Sequence, residues 1–570
     1  MAAKMHKKRK NDEPFCIPKP KCESPATGRL QTHLAGIPHH RYKLGMSDLL
    51  SSLHNQLSPH AGLDVQKLRG KLADLAGGQN GALHIYPHSA QVAFGTLFFM
   101  VRSHGTRWLV VFGDKSVAQN FEGETAPPDG ARCLTVCPLT PRNANALRGL
   151  FGWLKPRTFG LKPTFGCGDR LGLATPGHIH AARACGVNVL LAQQSIREMA
   201  RTQRTPTQVM DDAMWGVFQE GYTEGFGSDA DHLKTFQDIE TTAAVGFTMF
   251  TIDPSEFVDR AADAATEKDL DASLVKGDSK ELPVPVAELT ALYSGRAFDI
   301  PGMGKMEPSA LEVKRAIVKY GRAVAHTERM ARHIAKVMAG RPYDLEMSVD
   351  ETDNPTTPVE HLFVGLELRR RKITVHSLAL RFIGEFQKGI DYIGDLKEFE
   401  KSFARQFAIA TFCGPYKMSI HSGSDKFSIF PIIGRIAGPL VHEKTAGTSY
   451  LEALRAVAKV QPGLFREICA FALQRYDTDR ATYHVAEKLD RLPSMDAMAD
   501  GDLEKIFDND HGRQLLHVTF GSVLNEKSSD GRLKFKDRIF QVLRDNEELY
   551  SDLLKGHFSR HMRSLAMATR

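Results

Sequence analysis

Along the chain, runs of apolar residues are separated by polar breaks, and the spacing of those runs predicts the architecture. Up to about residue 45, Pro, His, Lys and Ser dominate with no hydrophobic period, which predicts a flexible arm over 1–45. Over 46–160 the pattern predicts an accessory α/β region, with a helical stretch at 46–76 followed by the strand-like runs ALHIYPH, VAFGTLFFMV and TRWLVVFG. From Thr164 the texture changes, and short apolar strands alternate with helical stretches. Eight strand candidates can be counted: PTFGCG at 163–168, VNVLLAQQ at 187–194, GFGSDADHLK at 225–234, GFTMFTIDP at 246–254, YDLEMSVDE at 343–351, ITVHSLALR at 373–381, YKMSI at 416–420 and PLVHEKTAGT at 439–448. Eight βα units predict an α/β chain with a (β/α)8, TIM-barrel-like catalytic domain over 161–530 and a C-terminal helical segment over 531–570. A helical insertion is expected near 255–340, where Val313, Ile317, Tyr320 and Val324 recur at the spacing of a core-facing helix.

In such a barrel the active site forms where the C-terminal ends of the strands converge, so the polar residues that close each run are the candidates. The most informative stretch is YKMSIHSGSDKFSIFP at 416–431, in which a strand breaks at His421 and a metal-type ligand, a carboxylate and an ammonium follow within a few residues. The competing reading of that break is a capped turn with a solvated Asp425-Lys426 pair. Two or three His with a Glu make an open divalent site for zinc, manganese, nickel or cobalt, and His232, Glu346 and His421 are the favoured ligands. Period two on YDLEMSVDE puts Glu346, Ser348 and Asp350 on one face, with Glu351 off it. Acid and base roles fall to Asp253 and Asp425, with Asp169 and Lys426 as further catalytic candidates. The expected substrate contacts are Arg170, Gln194, Arg197, Asp231, Lys234, Asp350, Glu351, Arg381, Ser422, His442 and Lys444. So many Arg and Lys at strand ends point to a substrate bearing a carboxylate or phosphate, with Arg170, Arg197, Arg381 or Lys426 as its anchor.

Composition narrows the function classes. The formal charge of +7 is concentrated at the start, where residues 1–22 hold six Lys and one Arg against Asp12 and Glu13. The remainder is close to neutral, so nucleic-acid binding is not expected. No apolar run is long enough to span a bilayer and no apolar segment follows the basic start, which predicts a cytoplasmic protein without a membrane partner. The eight cysteines include no CxxC pair and are expected to be reduced thiols; self-association is left open. Gly166-x-Gly168 lacks the third glycine of a dinucleotide fingerprint, and neither a Walker loop nor a GxSxG elbow occurs, so no nicotinamide, NTPase or serine-hydrolase chemistry is expected.

The phrasing of these stretches resembles a known family. FGCGDRLGLATPGHI at 165–179, AQQSIREMARTQRTP at 192–206, DADHLK at 229–234, SVDET at 348–352, HSGSDKFS at 421–428, HEKTAGTSY at 442–450 and LLHVTFGSVL at 515–524 resemble the tagaturonate epimerase family over roughly residues 80–550. The resemblance implies a divalent-metal isomerase of hexuronate catabolism that interconverts D-tagaturonate and D-fructuronate, with ketohexoses such as tagatose and fructose as alternative substrates. It places the metal on His232, Glu346 and His421. In these uronates the inverted carbon is β to the ketone, so simple deprotonation cannot invert it, whereas retro-aldol cleavage and re-addition to the other aldehyde face can. A metal-dependent aldolase and a catalytically silent carbohydrate-binding barrel are the competing readings.

Overall fold

The computed structural model describes residues 49–55, 57, 64–76, 83–126, 132–276 and 285–565. The basic arm expected over 1–45 lies outside the described residues.

Three long strands, β1 (Leu83–Ala93), β2 (Thr96–Ser103) and β3 (Thr106–Asp114), pair antiparallel, and β4 (Glu124–Thr125) and β5 (Arg132–Cys137) complete a sheet of order β1-β2-β3-β5-β4. The run LFFMV in β2 is apolar without interruption because both faces of this sheet are covered. Leu97, Phe99 and Val101 pack with Leu49, Leu53, Leu57, Leu68 and Leu72 of the preceding helical segments, while Phe98 and Met100 face the main core beside Phe151 and Phe218. Strand β5 had no counterpart among the expected runs: RCLTVC is short and its apolar residues do not alternate with polar ones, a weak signal for strand.

Eight parallel strands close the barrel in the order β6 (Thr164–Gly168), β7 (Asn188–Ser195), β8 (Gly227–Leu233), β9 (Met249–Ile252), β12 (Asp344–Ser348), β13 (Ser377–Ala379), β14 (Lys417–Ile420) and β15 (Val441–Thr445). Each of the eight expected runs supplies one of them. Between β9 and β12 the chain forms short helices, the hairpin of β10 (Phe298–Ile300) and β11 (Gly304–Met306), and the helix Ala310–Met338. Ser309 opens that helix with a capping box to Glu312, and Val313, Ile317, Tyr320 and Val324 are buried along its inner face.

After β15 the remaining chain is helical and wraps the mouth and one flank of the barrel. Its last helix, Glu547–Ser564, packs against Thr175–Cys185, and the approach depends on Gly177, where an added Cβ would lie 2.5 Å from Leu554 Cβ. Among the described residues no helix is long and apolar enough to cross a membrane.

Candidate active site

Strands β8, β12, β14 and β15 deliver the central cluster. Period two turns Asp229 and Asp231 of β8, Glu346 and Ser348 of β12, and His442 and Lys444 of β15 into the barrel, where all six are buried. Lys444 Nζ lies 2.7 Å from Asp229 Oδ2, 2.8 Å from Asp231 Oδ1 and 2.8 Å from Glu346 Oε1, and donates to Thr251 Oγ1 at 2.6 Å. A single ammonium thereby offsets three carboxylates that the barrel interior removes from water. Burial pushes Asp229 up to about 6, whereas Glu346 is held well below the usual range because Lys444 and His421 outweigh its burial.

Above Lys444 stand two imidazoles. His421 Nε2 is 2.7 Å from Glu346 Oε1 and its Nδ1 is 3.1 Å from Asp350 Oδ1. His232 pairs through Nδ1 with Asp231 Oδ1 at 2.8 Å, and the two rings sit 5.0 Å apart. Burial opposes the charge on both rings, yet Asp231 raises His232 to about 9, and Asp350 with Glu346 raises His421 to about 10. His232 (φ 56°) and Ser422 (φ 54°) occupy left-handed backbone, a local strain of about 1–3 kcal/mol each that concentrates where strands hand over to functional loops.

Donor atoms of His232, Asp350 and His421 all lie within 4.8 Å of one another, a set of two imidazoles and a carboxylate that suits zinc, manganese, nickel or cobalt. Glu346, expected as the third ligand, lies behind His421 instead. It is fully buried and takes hydrogen bonds from Thr251 at 3.3 Å and Ser377 at 2.5 Å, so it orients the imidazole, and Asp350 occupies the open side.

The remaining expected residues divide by position. Arg170, Arg197, Asp231, Ser422 and Lys444 line the cleft with the cluster. Gln194 is fully buried and not among the lining residues, donating to Glu198 Oε2 at 3.0 Å. Glu351 and Arg381 stand on the outer rim. Asp253 does not line the cleft but caps Ser255 N at 2.9 Å with Lys234 3.6 Å off, and Asp169 caps the N–H groups of Leu171, Gly172 and Ala174. His442 is buried at the barrel floor against Thr164, and burial lowers it to about 3. Asp425 and Lys426 point out of the cleft. Asp425 pairs with Arg513, with His557 at 2.5 Å and with His561, while burial brings Lys426, whose ammonium is spent on main-chain carbonyls, down to about 7. Asp425, His557 and His561 are spaced like a second metal group, but His561 Nε2 already accepts from Asp425 N at 2.9 Å and its Nδ1 is 3.2 Å from His557 O. This knot joins the last helix to the loop that carries His421.

Sequence reasoning passed over Asp229, Glu198, Lys388, Tyr483 and His517. Asp229 shares the β8 face of Asp231, and period two alone would have found it. Lys388, Tyr483 and His517 reach the cleft from loops and the C-terminal helical region, where no periodicity marks them.

A family model described as UxaE, tagaturonate epimerase, matches residues 86–565. The chain belongs to the tagaturonate epimerase family. A tagaturonate/fructuronate epimerase of Thermotoga maritima is 41% identical over 478 residues, covering 84% of this chain and 96% of the relative. Crystal structures of fructuronate-tagaturonate epimerase UxaE from Cohnella laeviribosi superpose with TM-scores of 0.81 for a glycerol complex and 0.80 for the native form, at 39% and 40% identity. Each covers 88% of this chain and 99% of its own. Family membership makes the chain an isomerase of the epimerase type.

Proposed function

We propose that the chain interconverts D-tagaturonate and D-fructuronate by cleaving and remaking the bond between C3 and C4. The observation that carries this reading is the cluster of His232, Asp350 and His421 at the mouth of a barrel whose family relatives are named for that interconversion. These three residues would hold a divalent cation, which supplies Lewis-acid polarisation of the ketone when bound.

The chain's own groups do the rest. Inverting C4 by retro-aldol chemistry requires a base to take the proton of the C4 hydroxyl as the C3–C4 bond breaks. The bonding pair passes into the enediolate over C3, C2 and its oxygen, and C4 becomes an aldehyde. Asp231, which lines the cleft, would accept that proton. Burial disfavours its charge, but His232 and Lys444 hold its carboxyl well below the usual range, so it is ionised at neutral pH. Re-addition of C3 to the opposite face of the aldehyde, with the proton returned to O4, completes the inversion. Arg170, stacked 3.6 Å over the Phe520 ring and paired with Glu198, closes one wall of the cleft.

The test is to incubate metal-loaded protein with each uronate separately and follow both by chromatography, with a chelator-treated sample alongside. The two reactions should converge on the same mixture and the chelated sample should be inactive until metal is restored. Accumulation of two three-carbon fragments would mean an aldolase, and no conversion in either direction would overturn the reading.

A further inference from the structure

A hexuronate brings one charge to the cleft, and the cations around it differ in how much bonding capacity they retain. Arg170 gives Nε and Nη2 to Glu198 at 3.0 and 2.9 Å and Nη1 to His517 O at 3.0 Å. Lys444 is shared among three carboxylates. Arg381 caps the carbonyls of Phe382 and Gly384, both at 3.1 Å, and Arg197, which lines the cleft and its outer extension, leans on Glu351 at 3.5 Å and lies over the Tyr483 ring at 5.7 Å. Lys426 spends its ammonium on the carbonyls of Gln387, Ile390 and Ser424.

Lys388 is different. Like Arg197 it lines both the inner cleft and its outer extension, but it is half-buried and, among the described residues, donates only to Ser422 Oγ, next to His421. Among the described residues no carboxylate lies within ion-pair distance of it. Its backbone, in contrast, is fixed on every side. Lys388 N donates to His484 O at 3.1 Å, Lys426 holds the carbonyls of Gln387 and Ile390, and Arg513 Nε holds the carbonyl of Gly389. Four consecutive residues are pinned through their main chain, and the side chain in the middle keeps two of its three donors unspent. A structural lysine needs no such scaffold. A binding group does, because a pre-positioned charge loses less freedom when the ligand arrives.

We infer that Lys388 is the anchor for the C6 carboxylate of the uronate, and that it holds the aldehyde fragment while C4 turns over. The inference rests on the proposed function. Retro-aldol cleavage of a 2-ketohexuronate leaves C4 to C6 as a three-carbon aldehyde with the carboxylate at its far end. With O4 at the Asp231 side and the carboxylate at Lys388, the fragment has two fixed points, and rotation about the axis through them presents the opposite face of C4 to C3. The expected anchors Arg170, Arg197, Arg381 and Lys426 then serve the cleft wall, the rim and the Lys388 loop.

The experiment compares parent, Lys388→Met and Lys388→Arg on D-fructuronate and on the neutral ketohexoses fructose and tagatose, and measures inhibition by glycerate and by glycerol. Parent turnover of fructuronate is established first, since its absence defeats the proposed function rather than the anchor. In K388M the preference for the uronate in kcat/KM should fall about ten- to a hundredfold, carried mainly by KM, and three-carbon products should begin to leak. Glycerate should lose its advantage over glycerol as an inhibitor, and K388R should restore most of both effects. The inhibition arm decides the matter if the parent turns over no neutral sugar, and K388Q replaces K388M if the latter is insoluble. An active parent whose uronate preference and glycerate inhibition survive in K388M overturns the assignment.

Discussion

Glu346 touches no substrate in this account, yet the geometry of the site depends on it. Its carboxylate receives His421 Nε2 at 2.7 Å on one side and the Lys444 ammonium on the other, so one side chain fixes the direction of an imidazole and the charge balance beneath it. Glu346→Gln keeps the shape and removes the charge. Its metal affinity, read by titration into apoprotein, and its kcat should each fall about ten- to a hundredfold, with KM little changed, because groups that orient a ligand act at this level. The sequence made Glu346 legible as an inward residue and assigned it as a metal ligand, whereas the folded chain sets it behind His421. Period two tells which face a side chain occupies but not its depth along the strand. Glu346 pairs with Thr251 and Ser377 inside the barrel, while Asp350 lies two residues past the strand's last residue, Ser348, and lines the cleft.

At the scale of elements, two of the contacts that hold the C-terminal helix Glu547–Ser564 to the barrel can be tested singly. The first is the knot of Asp425 with His557, His561 and Arg513. Burial opposes charge on His557, but Asp425 and Glu452 outweigh it and raise the ring to about 9. Because that value lies above the roughly 6.5 of an unfolded histidine, the pair's contribution is fully present below about pH 6.5 and is lost as pH rises through 9. His557→Gln in metal-loaded protein should therefore cost roughly 3 to 5 kcal/mol at pH 6, measured by denaturant unfolding, and the gap to the parent should close toward pH 9.5. A gap independent of pH would show that the imidazolium is not what binds the helix. The second contact is Gly177, where the helices meet without room for a side chain. Gly177→Val should destabilise by about 1–3 kcal/mol in the same assay, despite the low intrinsic helix propensity of glycine. Neither contact was legible in the sequence. Asp425 reads as a strand-end carboxylate, and only the folded chain brings a helix more than a hundred residues later onto its other side.

At the scale of the molecule, the barrel was readable because eight short strand-like stretches alternate with helical ones and carry polar residues within or just after them, as in β8 (GSDADHL) and β15 (VHEKT), and the accessory sheet because its central strand is apolar on both faces. Lys388, Tyr483 and His517, which line the cleft without lying on a barrel strand, escaped the sequence because long-range folding, not local pattern, positions them. The claim that unites the levels is that this barrel inverts C4 by opening the C3–C4 bond. In that chemistry the hydrogen on C4 stays attached throughout, becoming the aldehyde hydrogen, whereas inversion by deprotonation or by transient oxidation at C4 must break the C4–H bond. The deciding measurement is turnover of [4-2H]-D-fructuronate against the unlabelled sugar in ordinary water. The account predicts a rate ratio close to one with deuterium fully retained at C4 of the tagaturonate formed. A primary isotope effect, or deuterium lost to solvent, would contradict it.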